Sequence, residues 1–386
     1  MGCWYERMEW LRTGALIASA IEAFFLLALL GYGPLYLHQE LRAGYFLASL
    51  AAALPALATF VGSMTWGQVA RRAGLKVLAV VGLAGYLGLG FAILVTCSPL
   101  DYIVGVSVMT LFSSALAPAT LAFLTQAGGD MGQRLAKRLQ WQSSGWMAGG
   151  LLGGYIFGLS GHSYVYLMMS LALALVLPLV LVLRDPSKIA IPARQQHRSG
   201  YPNPMTIFLV VLPFFLAYSG NEGFFTNFGL YLRLLGIPTE WVGWSAAIST
   251  GLGWLLALRI GHWADRWGGK AILTWVLLVY AVLYVIMSLA PWPPIVVGAF
   301  SMPLYPLLNI GVQRAAAESV PSDAHGAAMG VINGASGLAT FVGGTLIGEV
   351  DNAWGPHIMP WTAAALVTVG LAAALVVYRK PKSPMP

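Results

Sequence analysis

Two glutamates are unusual because each lies deep within a long apolar stretch of the chain. Glu22 begins the segment Glu-Ala-Phe-Phe, and Glu222 begins the similar segment Glu-Gly-Phe-Phe. A carboxylate inside hydrocarbon costs about 2.5–3.5 kcal/mol on insertion scales, so such a residue is expected to face the protein interior, to pair or to take a proton. Since no Lys or Arg lies at a similar depth, neither acid has an evident basic partner. The two glutamates therefore indicate reversible protonation or solute binding. The alternative is that each is permanently protonated and hydrogen-bonded to a helix.

Aromatic and polar residues recur near both acids at helical spacing. An aromatic wall with two acids would suit a lipophilic or weakly cationic solute, although an aromatic stripe can equally be plain helix packing. The candidate site residues beside the glutamates are Phe25, Tyr32 and Tyr36 in the first apolar run, and Tyr218, Asn221, Phe225 and Asn227 in the seventh. Further polar candidates within apolar runs, which could bind a solute or bond between helices, are Gln126, Gln142, Asn309 and Asn333.

The composition places the whole chain in an apolar solvent. Of 386 residues, 58% are hydrophobic and 9% are charged, whereas a soluble domain carries about 25% charged residues. We find no metal-ligand cluster, no phosphate-binding loop and no nucleophile–base pair. The sequence therefore predicts neither a metal nor a cofactor, and it excludes an ATPase or a hydrolase.

Twelve apolar runs are each long enough to cross a bilayer as a helix, which needs about 20 residues. They cover 11–37, 43–70, 76–97, 100–126, 139–160, 162–183, 205–233, 239–263, 270–290, 293–315, 325–349 and 356–378. The longest connection is rich in proline and charge. We therefore expect an all-α membrane protein with 12 transmembrane helices in two pseudo-symmetric six-helix bundles, 1–183 and 205–386, joined by a cytoplasmic linker, 184–204.

The distribution of basic residues orients these runs. With both termini in the cytoplasm, Arg42 and Arg233 are the only members of the 21 Lys and Arg to fall outside. This is the positive-inside pattern, and it predicts a multi-pass protein of the plasma or inner membrane. Because the basic residues are spread over many inner loops, the net charge of +7 does not indicate nucleic-acid binding. Asp101, Glu240, Glu349 and Asp351 fall at helix ends on the outer face, where we expect them to be solvated.

The two halves repeat each other, and the repeated loops carry a family signature. The segment from Gly261 to Lys270 reads Gly-His-Trp-Ala-Asp-Arg-Trp-Gly-Gly-Lys, and a sister copy follows the second run. The chain thereby resembles the major facilitator superfamily over essentially its whole length, and the resemblance implies a cytoplasmic gate. The gate residues are Gly67, Arg71, Arg72 and Gly74 in the first copy, where Arg71 replaces the usual Asp, and Gly261, Asp265, Arg266, Gly268 and Lys270 in the second.

A glycine cluster in the fifth run is similar to the antiporter motif of that superfamily. It comprises Gly145, Gly149, Gly150, Gly153 and Gly154, with Gly150 where the motif has proline. Small residues let helix backbones approach closely, so helix packing is an equal interpretation. The fourth run has Val106 where drug antiporters carry an arginine linked with proton coupling, which weakens a direct transfer of their mechanism.

The resemblance and the two acids together predict a secondary active transporter of a small molecule, with alternating access between the halves. We expect proton-coupled efflux by a monomer in the lipid bilayer, with no nucleic-acid partner. One alternative is a proton symporter or a facilitator for uptake of a sugar, nucleoside or organic acid. A cation in the cavity would favour uptake of an anion, and we find none deep in an apolar run. Another is a membrane assembly factor or sensor on the same fold, because fold does not fix function.

Overall fold

The computed structural model describes residues 2–73, 75–117, 119–120, 131–159, 204–320 and 325–378. Within these ranges the chain is helical, with no β-strand. The predicted linker 184–204, except for Pro204, and the sixth apolar run, 162–183, lie outside the described residues, as do Gly74 and Gln126. The fold is therefore established here from eleven of the twelve predicted runs.

The helices follow the apolar runs closely. In chain order they are α1 (Gly2–Gln39), α2 (Tyr45–Ala73), α3 (Leu75–Leu94), α4 (Pro99–Ser113), α5 (Met131–Leu159), α6 (Pro204–Leu234), α7 (Glu240–Trp267), α8 (Gly269–Leu289), α9 (Pro293–Phe300), α10 (Leu304–Ala317), α11 (His325–Trp354) and α12 (Met359–Val377), with a short 3₁₀ helix, Pro356–Ile358, before α12. Within the described ranges, eight helical stretches are long and apolar enough to span a membrane. The prediction of an all-α membrane protein is confirmed.

The tenth run is divided by a break between α9 and α10. The residues Ser301, Met302 and Pro303 separate the two helices, and Pro303 is the residue that precedes α10. A proline inside a helix removes a backbone hydrogen bond and clashes with the preceding turn. The sequence Ser-Met-Pro-Leu-Tyr-Pro therefore ends one helix and starts another within a single predicted span.

Equivalent helices of the two halves make equivalent contacts. Helix α5 packs along α1, and α11 packs along α6 in the same way. Across the halves, α5 also packs against α7, and α2 packs against α11. We call the side on which α1 ends and α2 begins the outer side, and the opposite side the inner side.

Glycines allow the contact between α1 and α5 to be very close. A methyl group added at Gly145 would lie 2.0 Å from the Ala20 carbonyl oxygen, and one at Gly149 would lie 2.6 Å from the Phe24 carbonyl oxygen. Both obstacles are backbone atoms, which a rotamer change cannot move. The glycine motif thus positions α5 directly against the helix that carries Glu22.

We expect the substitution Gly145→Ala to destabilise the protein, because it would force these two backbones apart. Overpacking of this kind costs about 1–3 kcal/mol in the free energy of unfolding. The measurement is denaturant unfolding of the purified protein in detergent. Gly298→Ala is the matched control, since a methyl group there meets nothing within 4 Å. Equal stability of the two variants would contradict the assigned contact.

The loop between α7 and α8 is held by an acid from a distant part of the chain. Gly268 has a φ of 82°, which favours glycine, and it precedes the first residue of α8. Both carboxylate oxygens of Glu318 lie 3.2 Å from the Gly269 backbone nitrogen, which donates to them. Glu318 also pairs with Arg314 at 3.0 Å. An anion at this helix N-terminus is favourable, so the loop signature is anchored to the end of α10.

The other predicted gate residues are described less fully. Arg266 is exposed, and Lys270 lies with its amine 5.8 Å from the ring centre of Tyr378. Gly67, Arg71 and Arg72 lie in the last turns of α2, and Gly261 and Asp265 lie in the last turns of α7, but their surroundings are outside the described part of the structure. The gate therefore stays a prediction.

One outer acid differs from its expected state. Asp101 and Glu349 are exposed, as expected. Asp351 is 1% exposed, and neither of its carboxylate oxygens has a hydrogen-bond partner among the described residues. The expectation that Asp351 is solvated was wrong: the chain turns at Gly355, which has a φ of 88° and donates from its backbone nitrogen to the Asp351 carbonyl oxygen at 2.8 Å, so that the short 3₁₀ helix with the buried Pro356 packs against the end of α11.

Candidate functional site

A cavity of about 1810 Å³ lies between the two halves of the chain. Its wall combines residues of α1, α2, α4 and α5 with residues of α6 to α11. The cavity reaches the inner side, where the lining residues Met64, Leu139 and Val331 are exposed. It is therefore open toward the side that we predict to be cytoplasmic, at the junction of the repeated halves.

Glu222 lies in the wall contributed by α6. Its side chain is 5% exposed, and Tyr218, one helical turn earlier, is close enough to interact with it electrostatically. Tyr218 is itself 3.1 Å, oxygen to oxygen, from Tyr305 of α10. Among the Lys and Arg side chains that the structure describes, none forms an ion pair with Glu222. The carboxyl thus has tyrosines, rather than a described cation, as its neighbours.

Aromatic rings surround this acid. Tyr280 and Tyr284 of α8 line the cavity close enough to Glu222 to interact with it electrostatically. Phe225 stacks on Phe300, with ring centres 5.6 Å apart and planes 2° apart. Ring faces carry negative potential and favour cations. This wall therefore suits an organic cation or an apolar ring.

Trp146, on the opposite wall of the cavity, contacts this group of aromatic residues. Its ring centre lies 5.7 Å from that of Tyr305, in an edge-to-face arrangement. Trp146 belongs to α5 of the first half, whereas Tyr305 belongs to α10 of the second. The contact joins the two halves within the cavity itself.

Glu22 occupies the corresponding place on α1, but its surroundings differ. The Arg138 Nη2 atom lies 3.6 Å from the Glu22 Oε2 atom, and each side chain is 18% exposed. Arg138 also donates from Nε to the Ser19 hydroxyl at 3.3 Å. Both charged residues line the cavity. The two acids are therefore equivalent in sequence and unlike in charge environment.

The expectation that Glu22 has no basic partner was wrong. Arg138 precedes the fifth apolar run, so its position in the sequence predicts an inner-loop residue. Helix α5 begins earlier, at Met131, and Arg138 lies seven residues before Gly145, on the face that contacts α1. The close glycine contact and the long arginine side chain together bring the cation to the acid.

The structure divides the predicted site residues into two groups. The cavity wall contains Glu22, Gln142, Tyr218, Asn221, Glu222, Phe225, Asn309 and Asn333. Asn221 accepts a hydrogen bond from the Tyr284 hydroxyl at 2.9 Å. Outside the wall, within helix contacts, lie Phe25, Tyr32, Tyr36 and Asn227.

The second group is packed rather than solvated. Phe25 is fully buried and stacks on Tyr86, with ring centres 5.2 Å apart. Tyr36 contacts the ring of Tyr102 at 5.7 Å. These rings pack α1 against α3 and α4. For these residues, the interpretation of the aromatic stripe as helix packing is therefore the one that agrees with the structure. No pattern in the sequence distinguishes the cavity residues Tyr280, Tyr284 and Phe300, since each is one aromatic residue among many in an apolar run.

Comparison with known families agrees with this architecture. The family model described as the Major Facilitator Superfamily matches residues 13–344 and 214–386, so that it covers nearly the whole chain. This chain belongs to the major facilitator superfamily. The repeated halves, the cavity between them and the loop signature are thereby explained together, and the chain is a membrane transporter of a small molecule. No curated protein sequence matches it significantly.

Several solved transporters have the same fold as this chain. The nucleoside transporter NupG aligns with a TM-score of 0.74 at 16% identity, over 97% of this chain and 100% of that one. A bacterial homologue of the human lysosomal transporter Spinster, in an inward-facing and occupied conformation, aligns with a TM-score of 0.75 at 12% identity, over 98% and 99%. A POT family transporter in complex with a thioalcohol-conjugated peptide aligns at 0.72 and 12%, over 95% of each chain. At these identities the likeness shows the fold alone.

Proposed function

We propose that this superfamily member exports a lipophilic or weakly cationic solute in exchange for protons. Glu222 carries the proposal, because it is a cavity carboxyl bordered by tyrosines and, within the described ranges, without an ion pair. Such a group can hold a proton in one state and a cationic solute in another. The halves would alternate in access around it, with both termini in the cytoplasm of a cell whose plasma or inner membrane holds the protein as a monomer.

The charge balance of the cavity supports a cation over an anion. Glu22 and Arg138 offset each other, which leaves the ionised Glu222 as the unbalanced charge among the described lining residues. The neighbouring tyrosine and phenylalanine rings add a favourable cation–π surface. A proton and a cationic solute would then compete for one carboxylate, which is the simplest basis for exchange.

A second candidate is proton symport of an organic anion. The observation that favours it is Arg138, a cation that lines the cavity with a partly exposed side chain. A guanidinium group binds carboxylates through two parallel hydrogen bonds. An anionic solute would have to displace Glu22, or bind when Glu22 is protonated. If protonation of Glu22 allows the anion to bind, the proton gradient would drive uptake of the anion.

A pair of probes with fixed and opposite charge separates the two candidates. Benzyltrimethylammonium and benzenesulfonate carry similar rings and cannot carry protons themselves. In proteoliposomes with an acidic lumen, antiport predicts accumulation of the cation over protein-free liposomes as protons leave. In vesicles with an acidic exterior, symport predicts accumulation of the sulfonate. Accumulation of the sulfonate without movement of the cation would replace the first candidate by the second.

A further inference from the structure

Asp351 is a buried acid that the proposed exchange does not use. It is 1% exposed, and neither of its carboxylate oxygens has a hydrogen-bond partner among the described residues. It lies at the outer end of α11, away from the wall of the cavity. Burial of an ionised carboxylate without a partner is so costly that such a group becomes neutral instead. With its outer side closed, the protein therefore holds a proton on Asp351.

The position of Asp351 on α11 is at the boundary between the two halves. Three residues earlier, Gly348 meets α2, since a methyl group there would clash with the Ser49 hydroxyl. Four residues earlier, Ile347 meets α6, since a methyl group at Gly223 would lie 2.9 Å from its side chain. Residues three and four apart share one face of a helix. Asp351 thus continues the face of α11 that packs between α2 of the first half and α6 of the second.

The chain after α11 covers this position from the outer side. The short 3₁₀ helix contacts both α11 and α6, and its first residue, Pro356, is buried. The start of α2 adjoins the same turn of α11, because a methyl group at Gly44 would lie 3.4 Å from the Asn352 side-chain oxygen. The carboxyl of Asp351 is therefore kept from the outer water partly by α2, which belongs to the other half.

The charged and titratable groups around Asp351 do not compensate its charge. Those on the elements next to it are His38, Glu40, Arg42, Tyr45, Tyr231, Arg233, Glu349 and His357. Arg42, Arg233, Glu349 and His357 are exposed, and His38 lies 2.8 Å, from Nδ1, from the Ala43 carbonyl oxygen. Helix α12 has no charged residue. Among the described residues, none interacts with the carboxylate of Asp351 as a counter-charge.

We propose that Asp351 is a second proton-binding site of the transporter, filled from the outer side. This inference rests on the alternating access of the proposed function. When the outer side opens, α2 moves away from α11 and water reaches the carboxyl, and a hydrated aspartate is ionised at neutral pH. When the outer side closes, the carboxyl takes a proton from the outer solution before it is buried again.

This proton has a different effect from the proton that Glu222 exchanges for solute. Asp351 returns its proton to the side from which it came, so it adds nothing to net proton transport. It acts on the balance between the two states instead. The closed form binds one proton more than the open form, so a fall in outer pH favours the closed outer side and a rise favours the open one. An acidic exterior thereby returns the protein to the inward-facing state, in which the cavity can take up solute.

Distances between spin labels on the two halves test this site without any solute. The parent carries Cys3→Ser, Cys97→Ser, Leu100→Cys and Trp292→Cys, and the last two positions are exposed at the outer ends of α4 and α9. Pulsed electron paramagnetic resonance in lipid nanodiscs gives the ratio of closed to open molecules at each pH. We expect this ratio to rise by about three- to tenfold per unit of pH between about pH 8 and about pH 6, since one titrating group changes it by at most about tenfold per unit. In proteoliposomes of uniform orientation, a change of the outer pH alone should have the same effect.

Two substitutions of Asp351 separate its charge from its fit. Asp351→Asn keeps the shape of the neutral acid, and Asp351→Leu fills the same space with apolar groups, so the second variant serves even if the first does not fold. Neither side chain can gain or lose a proton. We expect both variants to stay closed at the outer side over the whole pH range. Glu349→Gln is the matched control, because Glu349 is an exposed acid two residues earlier on the same helix, and its pH response should equal that of the parent.

The outcomes separate this site from the proposed exchange. Absence of a pH response in the parent would overturn the inference, and so would a parental response in Asp351→Asn or Asp351→Leu. In Glu222→Gln the response of the outer distance should persist, although proton-driven transport is lost. A response that disappears in Glu222→Gln and persists in Asp351→Asn would assign the effect to the cavity acid and refute the second site. If flux measurements exclude proton exchange while the Asp351 variants lose the response, the proton site stands and the proposed exchange does not.

Discussion

Glu222→Gln should abolish proton-driven accumulation of benzyltrimethylammonium and leave it at the level of protein-free liposomes. Glutamine has nearly the same shape as glutamate but cannot gain or lose a proton. If Glu222 is the group for which the proton and the cation compete, the variant has no means of coupling their movements. Membrane-embedded acids of this kind serve function rather than stability. The measurement is uptake of the cation under an imposed pH gradient.

Solute exchange provides the control for folding in this experiment. The aromatic wall of Tyr218, Phe225 and Tyr305 is intact in the variant, so exchange of labelled for unlabelled probe without a pH gradient should persist with weakened affinity. Glu349→Gln, an exposed acid at the outer end of α11, should behave as the parent does in both assays. Coupled uptake at the parental rate in Glu222→Gln would show that the proton travels elsewhere.

The helices and the repeat could be predicted because both depend on local composition. A membrane span needs a run of apolar residues of fixed length, and the bounds of α6, α7 and α8 accordingly agree with the predicted runs to within a few residues. The repeated residues also related the two halves to each other. The structure shows that Glu222, one of the two predicted acids, lines the central cavity.

The facing of individual side chains could not be predicted in the same way. In a membrane helix, apolar residues can cover the lipid-facing side and the protein-facing side alike, so periodicity does not distinguish the cavity face from the packed face. Tyr218 and Tyr32 each follow or precede an acid on the same helix. Tyr218 lines the cavity, whereas Tyr32 packs against glycines of neighbouring helices. The difference depends on Gly150 and Gly243, which belong to other helices.

The ion pair of Glu22 with Arg138 could not be predicted from the sequence either. Arg138 lies 116 residues from Glu22 along the chain, on a helix whose start was predicted too late. Only the close approach of α1 and α5 shows that the arginine side chain reaches the cavity. Under the proposed exchange mechanism, the two acids that the repeat makes equivalent thereby have different roles: Glu22 is neutralised by Arg138, and Glu222 is left to meet a proton or a solute.

Those different roles predict opposite effects of Glu22→Gln on the two fixed-charge probes. The substitution leaves Arg138 uncompensated, which adds one positive charge to the cavity. We expect affinity for benzyltrimethylammonium to fall and affinity for benzenesulfonate to rise, each by about tenfold or more, since contacts with charged groups are worth about 1.5–3 kcal/mol. Equilibrium binding to the purified protein measures both effects.

The double variant Glu22→Gln/Arg138→Gln decides whether charge balance is the cause. Removal of both partners restores the net charge of the cavity, so cation affinity should return to near the parental value, and the gain in sulfonate affinity should disappear. Lys137→Gln is the control for the second change, because Lys137 is exposed beside Arg138 on the same helix and should give no rescue. If the double variant binds the cation as weakly as Glu22→Gln does, Glu22 contacts the solute directly, and the ion pair is not its main function.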